Sequence, residues 1–156
     1  SQAGVVMKAV IKNMTAADIA QVAKIEKSLF DADPWTLEMF ADELAEVGNS
    51  REVVCAWDGN IIVGYASLRY VGREGDVNTV AVAQSHQGQG IGRQLMNWLY
   101  QTAIAHGVRE LFLEVRSDND AALAMYTKDD FQRIDIRRNY YGTDIDAIVM
   151  KKRLAS

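Results

Sequence analysis

Between Thr15 and Phe30 the apolar residues recur at helical spacing, with Ile19, Val22, Ala23, Leu29 and Phe30 on one face. Thr15 offers an N-cap oxygen and Asp18 stands three residues on, the spacing of a capping box. Ahead of this helix, residues 6–12 read as a first strand. Asp31-Ala32-Asp33-Pro34-Trp35 breaks the pattern, and Pro34 is the only proline. Thr36 then caps a second helix carrying Leu37, Phe40, Ala41 and Leu44, which ends near Gly48.

The period changes in the middle of the chain. Residues 52–57 and 61–70 read as strands around Asp58-Gly59-Asn60, a hairpin turn. A second turn at 72–75 leads into a strand at 76–83, β-branched at Val77, Thr79 and Val80. A glycine-rich loop follows. The helix after it carries Ile91, Leu95, Trp98, Leu99, Thr102 and Ala103 on one stripe and stops at Gly107. Residues 109–115 form an apolar strand. Ser117-Asp118-Asn119-Asp120 is a cluster of capping residues before a short helix at 121–126. Strands at 131–138 and 144–152, joined through 139–143, close the chain. The order β-α-α-β-β-β-α-β-α-β-β mixes hairpins with strand–helix–strand units. It predicts an α/β protein with a mixed sheet flanked by helices.

At 156 residues the chain is expected to form one domain, residues 1–156 with a core of about 8–154. Hydrophobic residues are 49% and charged residues 24%, which excludes a disordered chain. The single cysteine, Cys55, excludes a disulfide framework and a four-cysteine zinc site. Two histidines without cysteine partners or zinc-ligand spacing leave no metal expected. No apolar run approaches the ~18–20 residues that span a bilayer. The N-terminal residues carry no basic-then-apolar leader, so a cytoplasmic protein without membrane contact is expected. (Ser1 stands first and Met7 is an internal methionine.) A net charge of −4 argues against coating nucleic acid and suits a basic peptide partner.

The most informative segment runs from Val80-Ala81-Val82 to Gln87-Gly88-Gln89-Gly90-Ile91-Gly92-Arg93. A strand ends, a glycine turn follows and a helix begins. Glycines let backbone N–H groups approach a ligand, and a helix start adds unpaired donors and partial positive charge. The product is a cradle for a pyrophosphate, with Arg93 as a possible charge-assisted contact. A dinucleotide fingerprint fails because Arg93 stands where its third glycine is required. A P-loop fails for want of Gly-Lys-Ser/Thr. A glycine turn without a ligand is the alternative.

Gln87-x-x-Gly90-x-Gly92 resembles the acyl-CoA loop of the GNAT acetyltransferases, and the element order resembles their acyl-CoA N-acyltransferase fold. More narrowly, the chain is similar to the RimI ribosomal-protein-alanine N-acetyltransferases. The similarity covers roughly residues 8–154. It rests on Pro34-Trp35-Thr36, Leu113-Glu114-Val115-Arg116, Asn119 through Ala124-Met125-Tyr126, Arg137-Arg138-Asn139-Tyr140-Tyr141 and Asp146-Ala147-Ile148-Val149-Met150. Two features depart from the pattern. Asp129-Asp130-Phe131 stands where the family has Leu-Gly-Phe, and the segment after Tyr141 is short.

The resemblance implies acetyl-CoA as cosubstrate, held by Val80, Ala81, Val82 and residues 87–93, with Asn119 as a further contact. It implies Glu114 as general base, Tyr126 as general acid and Tyr140 and Tyr141 on the substrate side. The Val82 N–H is the expected oxyanion donor. Read as residues alone, Glu114 is either a base partly desolvated by an apolar strand or a solvent-facing member of that strand. Tyr126 is either an acid or a packing aromatic, Asn119 a cap, and Tyr140 and Tyr141 hairpin core. Trp35 reads as a staple between two helices and Glu26 as a solvated edge. His86 and His106 have nothing that places them near an amine. Cys55 reads as a small buried hydrophobe.

The substrate implied is the N-terminal alanine of a small-subunit ribosomal protein, acetylated by direct transfer in a ternary complex. The chemistry agrees: a peptide α-amine has a pKa near 7.7–8.0 against about 10.4 for lysine, so near neutrality it is roughly several hundred-fold richer in the nucleophilic form. Lysine or small-amine acetylation, and a non-catalytic acetyl-CoA-binding module, are the alternatives. A monomer or weak homodimer is expected.

Overall fold

The structure, a computed structural model, describes residues 8–155. Val6 and Met7, the start of the expected first strand, lie outside the described residues. Seven strands form one mixed sheet in the order β1-β2-β3-β4-β5-β7-β6. The strands are β1 (Val10–Asn13), β2 (Arg51–Asp58), β3 (Ile61–Val71), β4 (Glu74–Val82), β5 (Glu110–Arg116), β6 (Gln132–Gly142) and β7 (Ile145–Arg153). Four α-helices accompany them: α1 (Ile19–Leu29), α2 (Leu37–Ala45), α3 (Ile91–Ala105) and α4 (Asp120–Lys128). The order expected from the sequence is the order observed.

The chain divides into two compact units, Ser1–Arg69 with Asn78–Thr102, and Tyr70–Val77 with Ala103–Ser156. In the first, β1, β2 and β3 pair antiparallel, and β2 meets β3 across a two-residue turn in which Gly59 takes φ 58°. Helices α1 and α2 cover the sheet face that bears Val53, Cys55 and Tyr65, where Val22 and Phe40 are buried. Helix α3 covers the opposite face. There a Cβ added to Gly64 would lie 2.9 Å from the Ala81 carbonyl oxygen and 3.2 Å from Leu95 Cδ1, so only glycine fits between strand and helix.

Two helix faces differ from the sequence pattern. Phe30, Leu37 and Ala41 are exposed. The buried positions are Val22 and Glu26 on α1, and Phe40 and Glu43 on α2. Glu26 is 3% exposed rather than a solvated edge. Its Oε1 accepts from the Tyr65 hydroxyl at 2.6 Å and its Oε2 from the Trp35 amide at 3.0 Å. Both oxygens are partnered, which is what lets a carboxylate sit in a core. Trp35 itself packs on Phe40 at 5.2 Å, the staple expected of it.

In the second unit β4 pairs in parallel with β5 over Glu74–Asp76 and Glu110–Phe112, while β7 pairs antiparallel with β5 and with β6. Strand β6 runs to Gly142, so residues 139–142, expected as a connection, are mostly strand. Helix α4 extends to Lys128 and ends in a left-handed residue, Asp130 at φ 71°. Among the described residues no helix is long and apolar enough to cross a membrane.

Candidate active site

The sequence-predicted residues fall into two groups, one in each unit. The first is the glycine loop. Val80 and Val82 are half-buried at the end of β4, and Ala81 is buried. The exposed Gln87 folds back and its Nε2 donates to the Val82 carbonyl at 3.0 Å, which ties the loop to the strand it leaves. Gly88 and Gly90 take φ 78° and 87°, values that L side chains rarely adopt. Gln89, Gly90, Gly92 and Arg93 are half-buried, and Ile91 anchors the first turn of α3 in the core. A Cβ on Gly92 would stand 3.8 Å from Val82 Cγ2, an ordinary van der Waals distance, so it is Gly88 and Gly90 that require glycine by conformation.

His86 sits just before this loop. Its Nε2 lies 2.9 Å from Asp58 Oδ2 and its Nδ1 2.7 Å from Ser85 Oγ. Both ring nitrogens are thus engaged, and the Nε2 contact ties the loop's entry to the end of β2. His106 stacks on Tyr70. Cys55 is fully buried, and burial pushes its thiol up to about 12, which leaves no thiolate for an acyl-cysteine route.

The second group begins with Glu114 on β5. Of its two readings from the sequence, the solvent-facing setting is the one observed. Alternation sends Leu113 and Val115 into the core and Glu114 outward, with its side chain 35% exposed. Its Oε1 accepts from Arg137 at 2.9 Å. This hydrogen bond, first, and the carboxylate charge raise the Arg137 pKa. On its other side Arg137 stacks over the Tyr140 ring at 4.3 Å. Arg116, paired with Asp118 at 2.9 Å, lies over Tyr141 at 5.4 Å. Tyr140 and Tyr141 meet edge to face and are 52% and 37% exposed, so they are not hairpin core. The tip of this hairpin is pinned by side chains: Asp146 accepts from the Asn139 amide at 2.9 Å, and the Asp146 amide donates to Ser117 Oγ at 2.8 Å.

Asn119 caps α4, its side chain accepting from the Ala122 amide at 3.1 Å. Tyr126, on the last turn of α4, is buried at 7% exposure. Burial, with a smaller contribution from the Asp129 charge, pushes its hydroxyl up to about 12. The phenol therefore keeps its proton throughout the neutral range. Among the described residues no group of three or more histidine, cysteine or acidic side chains is placed to hold a metal.

Arg137 is the residue that sequence reasoning passed over. It stood inside the Arg137–Tyr141 run, but its contact with Glu114 joins β6 to β5 across β7. Nothing in local spacing announces it.

The fold is thus a mixed sheet flanked by helices, with a glycine loop opening α3 and a carboxylate exposed on β5. The chain belongs to the GNAT acetyltransferases: the Acetyltransferase (GNAT) family matches residues 18–131. It is similar to the N-alpha-acetyltransferase RimI of Mycobacterium tuberculosis, with 42% identity over 89% of each chain. It is 32% identical to the bS18-alanine N-acetyltransferase of Escherichia coli over 90% of this chain and 94% of that one. The crystal structure of the Escherichia coli enzyme superposes with a TM-score of 0.84, 30% identity and 96% coverage of both chains.

Proposed function

We propose that this protein is a RimI-like N-terminal acetyltransferase that transfers acetyl from acetyl-CoA to the α-amine of the N-terminal alanine of ribosomal protein bS18. The relatives that carry this activity in their names support it. It acts as one acetyltransferase domain, in the cytoplasm, on a protein rather than a nucleic acid. The observation that carries the reading is an exposed carboxylate, Glu114, linked through Arg137 to an exposed aromatic pair on the neighbouring hairpin. An aromatic surface beside a base suits a peptide end better than a small polar amine.

The glycine loop fits the pyrophosphate of acetyl-CoA: Gly88 and Gly90 take left-handed φ just ahead of the first turn of α3, and a helix start leaves backbone N–H groups without intrahelical partners. Residues 87–93 hold that group, Val80, Ala81 and Val82 line the arm beyond it, and Asn119 adds a contact besides its cap. Acetyl-CoA supplies the activated acetyl group. Glu114 takes a proton from the amine, directly or through one water. The Val82 N–H donates to the carbonyl oxygen as charge builds on it. Tyr126 donates a hydrogen bond to the departing thiolate, which takes up its proton through that hydroxyl while water restores the phenol. A thiol titrates near 8.5, well below the tyrosine, so that hydrogen bond rather than a long-lived tyrosinate carries the stabilisation.

The test is thiol release with two hexapeptides at neutral pH. One begins Ala-Arg with a free α-amine; the other has a blocked N-terminus and an internal lysine. Turnover on the first alone is expected. Turnover on the lysine peptide makes the protein a side-chain acetyltransferase, and binding of acetyl-CoA without turnover on either makes it a sensor or a small-amine enzyme.

A further inference from the structure

Arg137 reaches Glu114 across an intervening strand. Ala147 on β7 is the Cα partner of both Arg116 on β5 and Arg137 on β6, so these three share one face and one row. Glu114 and Val149 occupy the adjacent row of the same face. Strands lie about 4.8 Å apart and successive rows about 6.8 Å, so the two side chains close a diagonal gap of roughly 12 Å between backbones. The gap is passable because the residue between them in Arg137's own row is alanine. The guanidinium is then fixed at both ends of its reach, by Glu114 Oε1 at 2.9 Å and by the Tyr140 ring at 4.3 Å.

We propose that Arg137 is a positioning residue for the transfer. It holds Glu114 by Oε1 in one rotamer and leaves Oε2 as the oxygen that meets the amine or its water. The proposal rests on the reading of Glu114 as the base. An exposed glutamate on a strand otherwise samples several rotamers, and a base displaced by about 1 Å loses much of its effect. The arrangement also couples the base to the substrate side of the hairpin, because the group that fixes Glu114 is itself stacked on Tyr140. A planar fork suits both contacts at once, whereas an ammonium is a single compact charge that makes neither a fork nor a stack.

The experiment is a kinetic cycle on the Ala-Arg hexapeptide with Arg137→Ala, Arg137→Lys, Glu114→Gln and the double variant Glu114→Gln/Arg137→Ala. Melting temperatures are recorded alongside; Arg137 is exposed, so they are expected to stay level. Arg137→Ala is expected to lower kcat about tenfold with the KM for acetyl-CoA unmoved, and Arg137→Lys to recover part of the loss. On the residual turnover of Glu114→Gln, adding Arg137→Ala is expected to change nothing, since the group it positions is gone. The same fractional loss in both backgrounds overturns the proposal, because Arg137 then acts on the peptide and not through Glu114. Full turnover in Arg137→Ala with Glu114→Gln impaired overturns it too, and leaves the base assignment standing. Normal turnover in Glu114→Gln removes the base assignment and this proposal together.

Discussion

The Phe131 amide donates to the Tyr126 carbonyl oxygen at 2.9 Å, and the two rings meet edge to face with centroids 5.6 Å apart. With the Asp130 amide donating to the Thr127 carbonyl at 3.1 Å, this is a Schellman motif complete with its apolar contact. It fixes the last turn of α4 and with it the candidate acid. The left-handed position is held by Asp130 at φ 71°, where a glycine carries no Cβ penalty. Lys152 Nζ, donating to the Asp129 carbonyl at 2.6 Å, helps to hold the aspartates in place.

Asp130→Gly is therefore expected to stabilise the protein. The relief of left-handed strain, about 1–2 kcal/mol for an ordinary residue, exceeds the added freedom of glycine in the unfolded chain, so a net gain of about 0.5 kcal/mol is expected. Urea unfolding reads it as a higher midpoint at constant slope. A lower midpoint would mean that the Asp130 side chain contributes more than its backbone costs.

Tyr126 also sets a pH dependence of stability. An unfolded tyrosine titrates near 10 and the buried one near 12, so the folded state binds this proton more tightly. Its contribution is complete below pH 10 and fades as pH rises through 12. Two units correspond to about 2–3 kcal/mol. Guanidinium unfolding of wild type and Tyr126→Phe at pH 9, 10 and 11 checks this: the wild type is expected to lose stability faster. Cys55, which titrates in an overlapping range, is common to both proteins and cancels. Parallel curves would assign the alkaline loss to other groups.

Most of the fold was legible because it rests on local periodicity. The helix stop at Gly107, observed at φ 81°, and the capping of α2 by the Thr36 side chain need only neighbouring residues. What was not legible rests on partners distant in sequence. Glu114 stood open between a desolvated and a solvent-facing carboxylate, because its neighbours Leu113 and Val115 are apolar. Alternation places them on the other face, and its real partner stands 23 residues away. Glu26 was misread because its donor Tyr65 is 39 residues off. One signal pointed the right way: Glu26 follows Val22 by four residues, which puts it on the buried stripe. The glycine loop was recognised in the sequence because its geometry is written in its glycines.

That geometry makes Gly90 a direct test of the loop. At φ 87° an alanine is strained, so Gly90→Ala is expected to rearrange the loop and raise the KM for acetyl-CoA about tenfold, from roughly 1–2 kcal/mol of strain. The KM for the peptide is expected to stay put. Equal rises in both constants would show that the loop shapes more than the acetyl-CoA site.

The buried Glu26 allows a last prediction, about the segment between α1 and α2. Its carboxylate joins β3 to that segment, with Oε1 on the Tyr65 hydroxyl and Oε2 on the Trp35 amide. The Tyr65 pKa is raised by burial first and then by this hydrogen bond, so the phenol is the donor at every working pH. Tyr65→Phe removes that donor and leaves a carboxylate oxygen buried without it. Hydrogen bonds to charged groups contribute about 1.5–3 kcal/mol, and an orphaned buried acceptor has no water to turn to, so a loss of about 2 kcal/mol is expected. Glu26→Gln keeps an acceptor for Trp35 and removes the charge. In that background the same Tyr65→Phe change strands only a neutral amide, and the expected cost falls by about half. A double-mutant cycle by urea unfolding measures the difference as a coupling between the two residues. Additive losses would mean that the hydroxyl and the carboxylate stabilise the fold independently, and that the α1–α2 segment is held by the packing of Trp35 on Phe40 instead.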